Sequence, residues 1–83
     1  MVRPTPFSSS FTLEVVCAQS KHTIVRLISE QGRILKMFSW YLIRGTNITS
    51  ISDTKNLPIG SYKLDVTAVE GTILYSTNVT KEE

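Results

Sequence analysis

Cys17 and His22 are the only thiol and the only imidazole of the chain, and they stand five residues apart. A thiolate–imidazole dyad needs both side chains converging in a pocket, with a third group orienting the base. The sequence offers no such orienter. His22 reads as an exposed turn histidine and Cys17, in a β-prone apolar context, as a buried and inert thiol. A single cysteine also excludes an intrachain disulfide and any multi-thiolate metal site, so no metal ion and no cofactor is expected. Glu14, Asp53 and Asp65 are the carboxylates that could be imagined as an acid–base pair. Glu14 and Asp65 instead fall on outward positions of alternating strands, where charge is expected, and no spacing pairs them for proton transfer.

Two further groupings carry possible chemistry. Asn47-Ile48-Thr49 and Asn78-Val79-Thr80 match the glycosylation acceptor pattern, but in a chain with ten Ser and ten Thr two chance matches are unremarkable. Trp40-Tyr41 beside Arg44 could stack a sugar ring or a base. Aromatic residues in the middle of a short strand more often pack in a core or between sheets, and core packing is the favoured reading. No catalytic constellation emerges, and an enzyme is disfavoured.

The elements that would position these residues are strands. Abundant Ser and Thr with little Ala favour strands and turns over helices. At 83 residues the chain forms one domain, residues 1–83, able to bury roughly 60–65% of its unfolded surface. Its 41% hydrophobic content makes a packed core feasible and argues against disorder. The net charge of +2 comes from nine basic residues scattered from Arg3 to Lys81, no two adjacent. A nucleic-acid footprint is a clustered stripe or patch, so no nucleic-acid partner is expected. Met1–Pro6 lacks the apolar stretch of a secretory signal, and the longest apolar run, Trp40–Ile43, is far short of a membrane span.

Phe11, Leu13 and Val15 alternate with Thr12 and Glu14, predicting a first strand over about 10–17, after Pro4 and Pro6. Thr23, Val25 and Leu27 alternate with Ile24, Arg26 and Ile28, predicting a second strand covered on part of both faces. Ser29-Glu30-Gln31-Gly32-Arg33 reads as a hairpin turn closed by Gly32. Residues 33–43 fit one face of a helix as well as a buried strand. Their shortness and their Trp, Tyr and Ile content between Gly32 and Gly45 favour strand. Gly45-Thr46-Asn47 reads as a turn, followed by a β-prone segment over 48–52. A last strand from Thr72 follows a turn at Glu70-Gly71. No internal repeat stands out.

Leu57-Pro58-Ile59-Gly60-Ser61-Tyr62 is the most informative stretch. Pro58 is placed to preset φ at the second position of a tight turn that Gly60 closes. Tyr62, Leu64 and Val66 then alternate with Ser61, Lys63 and Asp65, the period of a half-buried strand. A tyrosine opening a strand after such a corner, its hydroxyl tied to backbone near Asn56–Leu57, is a hallmark of immunoglobulin-like sandwiches. About seven short strands with turns between them complete that pattern. The predicted fold is an all-β, immunoglobulin-like antiparallel sandwich, expected to be monomeric.

Over residues 3–81 the ordered motifs resemble the C-terminal sorting domain of cargo proteins exported by the type IX secretion system. That family opens with Pro-Asn-Pro-Phe, and this chain has Pro4-Thr5-Pro6-Phe7. The family's Asp-x-x-Gly hairpin is matched by Ser29-Glu30-Gln31-Gly32, and its Gly-x-Asn turn by Gly45-Thr46-Asn47. The Leu-Pro-x-Gly-x-Tyr corner is matched fully by Leu57, Pro58, Gly60 and Tyr62. A final Gly hairpin and terminal lysine are matched by Gly71 and Lys81. Thr5 and Ser29 replace the family's Asn and Asp.

The resemblance implies a non-enzymatic module covalently fused to the C-terminus of a larger secreted cargo. Its partners would be the outer-membrane translocon and, in many cargoes, a surface sortase that removes the domain. The implied location is the cell surface or the medium. The alternative is a fibronectin-like cell-surface adhesion or carbohydrate-binding module.

Overall fold

The computed structural model describes residues 1–83 and contains strands but no helices. β1 is Val2–Arg3, β2 Phe11–Cys17, β3 Lys21–Ser29, β4 Ile34–Leu42, β5 Gly45–Ile51, β6 Gly60–Ala68 and β7 Ile73–Lys81. They form two sheets, ordered β1-β2-β5 and β4-β3-β6-β7, with every strand pair antiparallel. Lettered as immunoglobulin strands, this is A-B-E against C′-C-F-G: the constant-domain order with the fourth strand moved to the edge of the opposite sheet. The all-β sandwich expected from the alternation is the fold.

The core lies between the sheets. Phe11, Leu13, Val15 and Ile51 come from the three-stranded sheet, and Val25, Leu27, Leu42, Tyr62, Leu64, Val66 and Val79 from the four-stranded one. Each such side chain contributes on the order of 1.5–3 kcal/mol when fully buried. Phe7 joins them from the segment before β2, completely buried, its ring centroid 4.6 Å from that of Phe11.

Within residues 33–43, Ile34–Leu42 form a strand, and the helical look of their apolar spacing has a structural cause. Leu27 faces Lys36 while Ile28 faces Ile34, so Leu35 is an extra, bulged residue. A bulge shifts the in–out alternation by one and breaks the period of two. Ile34 therefore stands on the outer face, whereas Phe38 and Trp40 pack against the core.

The β6–β7 hairpin repeats that design. Ser29 N–H donates to Arg33 O and Gly32 N–H to Ser29 O; in parallel, Ala68 N–H donates to Thr72 O and Gly71 N–H to Ala68 O. Gly32 and Gly71 have φ of 85° and 103°, the left-handed conformation that closes a three-residue hairpin loop. Val66 faces Tyr75 and Thr67 faces Ile73, which leaves Leu74 bulged as Leu35 is. Gly32-Arg33-Ile34-Leu35 and Gly71-Thr72-Ile73-Leu74 are thus equivalent at an offset of 39 residues. The likeness is one of backbone geometry, with only Gly, Ile and Leu shared in the sequence.

Three expectations are corrected. Gly45-Thr46-Asn47 is not a turn: Gly45 opens β5 opposite Cys17, and Asn47 lies inside the strand opposite Val15. The hydrogen-bonded turn before β6 runs from Thr54 to Leu57, closed by Leu57 N–H to Thr54 O at 3.0 Å, so Pro58 follows that turn rather than occupying its second position. Asp65 is on the outward face but buried, 1% exposed, because Arg26 lies across it. Val2–Arg3 adds a short edge pairing with Leu13 and Thr12 that the prolines concealed.

Candidate functional site

Phe7, Gly32, Leu57, Pro58, Gly60, Tyr62 and Lys81, seven of the motif positions behind the resemblance, meet at one end of the sandwich. Ser29 faces Tyr62 and Gly60 faces Lys81, so the Gly32 hairpin, the start of β6 and the end of β7 share that end. The segment from Phe7 is held there as well. Phe7 N–H donates to Thr80 O at 2.9 Å, and Glu82 N–H donates to Phe7 O at 2.8 Å. Thr54, fully buried, donates its hydroxyl to Ser8 O at 3.1 Å and its N–H to Ser9 O at 3.3 Å. This threonine therefore staples the N-terminal segment to the corner that carries Leu57, Pro58 and Gly60.

The Tyr62 hydroxyl donates to Pro58 O, four residues upstream. The tyrosine corner is present, with Pro58 rather than Asn56 or Leu57 supplying the acceptor. The ring is buried in the core and Leu57 packs against it from the edge. The bond ties the exposed Pro58-Ile59 tip to the start of β6, and an open cleft of about 770 Å³ lies between that tip and the 29–33 hairpin. Glu30 Oε1 reaches to 3.7 Å of where a side chain on Gly60 would begin. Arg33, Ser61 and Leu35 complete the walls.

The remaining positions are elsewhere. Gly45, Asn47 and Gly71 lie at the opposite end, and Pro4 and Pro6 are exposed in the connection after β1. Asn47 is buried and cross-braces the bend before β5. Its Oδ1 accepts from Ile43 N–H at 2.8 Å, and its Nδ2 donates to Ile43 O, Gly45 O and Val15 O at 2.9, 3.2 and 3.3 Å. With its amide so engaged, Asn47 cannot act as a glycan acceptor in the folded chain.

The groups considered for catalysis are not brought together. Cys17 Sγ is half-buried and donates to Gln19 O. His22 is on β3 rather than in a turn, on the outer face of the other sheet, where its ring lies 4.6 Å from that of Tyr41. Trp40 and Tyr41 point to opposite faces, Trp40 against the core and Tyr41 half-exposed, so they form no joint stacking platform. No three His, Cys, Asp or Glu side chains gather as a metal-ligand group.

One charged pair escaped the sequence reading. Arg26 Nε and Nη2 each donate to an Asp65 carboxylate oxygen at 2.9 Å. The hydrogen bond to Asp65, then its charge, raise the Arg26 guanidinium above its already high range, against the opposing effect of burial. The partners are 39 residues apart, and only the repeated hairpin pattern could have placed them together. Around this pair the outer face of the four-stranded sheet exposes Ile34, Met37, Tyr41 and Ile73.

No protein-family model, no curated protein and no solved structure matches the chain.

Proposed function

We propose that the chain is a non-enzymatic sorting domain that directs a covalently fused cargo through the type IX secretion system to the cell surface or the medium. The observation that supports this reading is the convergence of Phe7, Gly32, Leu57, Pro58, Gly60, Tyr62 and Lys81 on one end of the sandwich. Dispersed from position 7 to position 81, these residues are brought to one end only by folding, with Phe7, Tyr62 and Lys81 buried beneath the exposed Gly32 and Pro58. A folded end with an exposed tip at Pro58-Ile59 and a cleft beside it suits recognition by an outer-membrane translocon better than a linear peptide would. A surface sortase is the second partner implied.

The test places a reporter between a signal peptide and residues 1–83 in type IX-competent and translocon-deficient cells. The expected result is reporter at the surface or in the medium of competent cells only. Equal surface levels in both strains would reject sorting. That outcome would favour the adhesion module, for which the exposed apolar outer face around Tyr41 and Met37 is the specific support.

A further inference from the structure

Lys81 is 4% exposed and yet has no counter-charge. Its ammonium donates to Glu82 O at 2.7 Å, and the ion pairs of the molecule are Arg3–Glu14 and Arg26–Asp65, neither involving a lysine. An ammonium has three donors, so two are left for other acceptors. The ammonium itself is part-buried, and a charge drawn out of water without an opposite charge is costly and normally paired. The 39-residue repeat sharpens the anomaly: the position equivalent to Lys81 in the first hairpin is Leu42, fully buried.

Lys81 is on the lining of an open cavity of about 640 Å³. Lys55 is a second lysine on the lining, and Ser8 and Ser9 bring a loop whose N–H groups donate no backbone hydrogen bond. Leu57 and Ile59 form an apolar wall. Glu83 is the only acidic residue on the lining and pairs with neither lysine.

We propose that this cavity binds a phosphate monoester. The two ammonium groups match a dianion as point charges, the free loop N–H groups and serine hydroxyls supply further donors, and the apolar wall receives the organic part of the ester. A soluble phosphate ester and a lipid phosphomonoester headgroup share this chemistry. The inference is independent of the sorting proposal, since it rests on the lysine and its cavity alone.

The test titrates the full chain, with its amides and lysine Cε carbons isotope-labelled for NMR, at constant ionic strength. The probes are phenyl phosphate, inorganic phosphate, and phosphatidylcholine vesicles with and without phosphatidic acid. The expected result is a saturable response at Lys81, Ser8 and Ser9, weakened roughly tenfold or more in both Lys81→Met and Lys55→Gln, the loss of a charge-assisted hydrogen bond. Saturation by the soluble phosphates identifies a soluble ester, and saturation by phosphatidic acid vesicles alone identifies a headgroup. Lys55 is exposed, so Lys55→Gln keeps the test valid should Lys81→Met misfold. No saturable response to any probe, or equal affinity in wild type and Lys55→Gln, would overturn the proposal and leave the export experiment unaffected.

Discussion

Arg26 on β3 and Asp65 on β6 face each other directly and are joined by two parallel hydrogen bonds of 2.9 Å. They are also equivalent positions of the repeated hairpin, 39 residues apart. Their pairing therefore lies on the pseudo-two-fold axis that relates β3–β4 to β6–β7. The two strands of that central pair are antiparallel, so the axis passes through the one register position where equivalent residues meet. A self-paired position on such an axis would place like residues together. Arginine against aspartate makes it a complementary pair instead.

Arg26→Met strands the buried Asp65 carboxylate and is expected to cost about 2–4 kcal/mol, while Arg26→Met with Asp65→Leu should be less destabilised than the single change. Because Asp65 raises the Arg26 pKa, the arginine's share of this stability is complete below the ordinary arginine range. It is lost only as pH rises through the raised value. Denaturant midpoints of the wild type should therefore show no arginine-linked loss from about pH 6 to about pH 10. A double-mutant cycle with no coupling would refute the pair's stabilising role.

Gly32 and Gly71 hold the same left-handed place in two copies of one loop, with no atom within 4 Å of where a Cβ would stand. Substitution there is strained by backbone conformation alone, without a clash. Gly32→Val and Gly71→Val are each expected to cost about 1–3 kcal/mol, and to agree with each other closely. Unequal thermal shifts well outside that range would break the equivalence of the two hairpins.

The two-residue period exposed most of the fold but not what crosses between distant strands. Val25 and Leu64 announce their faces within a few residues of chain. Asp65 does the same, but the burial of its carboxylate depends on Arg26, and nothing local reports a partner that far away. The helical alternative at 33–43 arose because Leu35 is bulged, which a period count cannot distinguish from a turn of helix. Asn47 looked like a turn residue because it braces a bend while lying inside a strand. The corner was legible, since Pro58, Gly60 and Tyr62 act within one short segment. The staple from Thr54 to Ser8 and Ser9 was not, because a threonine hydroxyl and N–H bonding two distant carbonyls leave no pattern in sequence.

Asn47→Ala removes four hydrogen bonds at a buried site, with an expected loss of about 2–3 kcal/mol. Asn47→Asp should be worse, although it is nearly isosteric. An aspartate has no donor for the three carbonyls that Nδ2 now serves, and brings an oxygen against them. Urea midpoints in the order wild type, Asn47→Ala, Asn47→Asp would support this bracing role. Asp as stable as Asn would contradict it.

Tyr62→Phe and Ile59→Ser separate the architecture of the corner from its surface. Tyr62→Phe leaves Pro58 O without its hydroxyl donor and should cost about 1–2 kcal/mol at an unchanged m-value. Ile59 is 63% exposed, so Ile59→Ser should change stability by no more than about 0.5 kcal/mol. If the corner's tip is what a translocon reads, Ile59→Ser must lower export of the reporter fusion while its melting temperature stays unchanged. Tyr62→Phe should lower export only as far as it unfolds the domain or frees the tip. Wild-type export by Ile59→Ser, alongside export by Tyr62→Phe that follows stability alone, would show that this end matters only as a fold and would move the recognition surface away from the cleft.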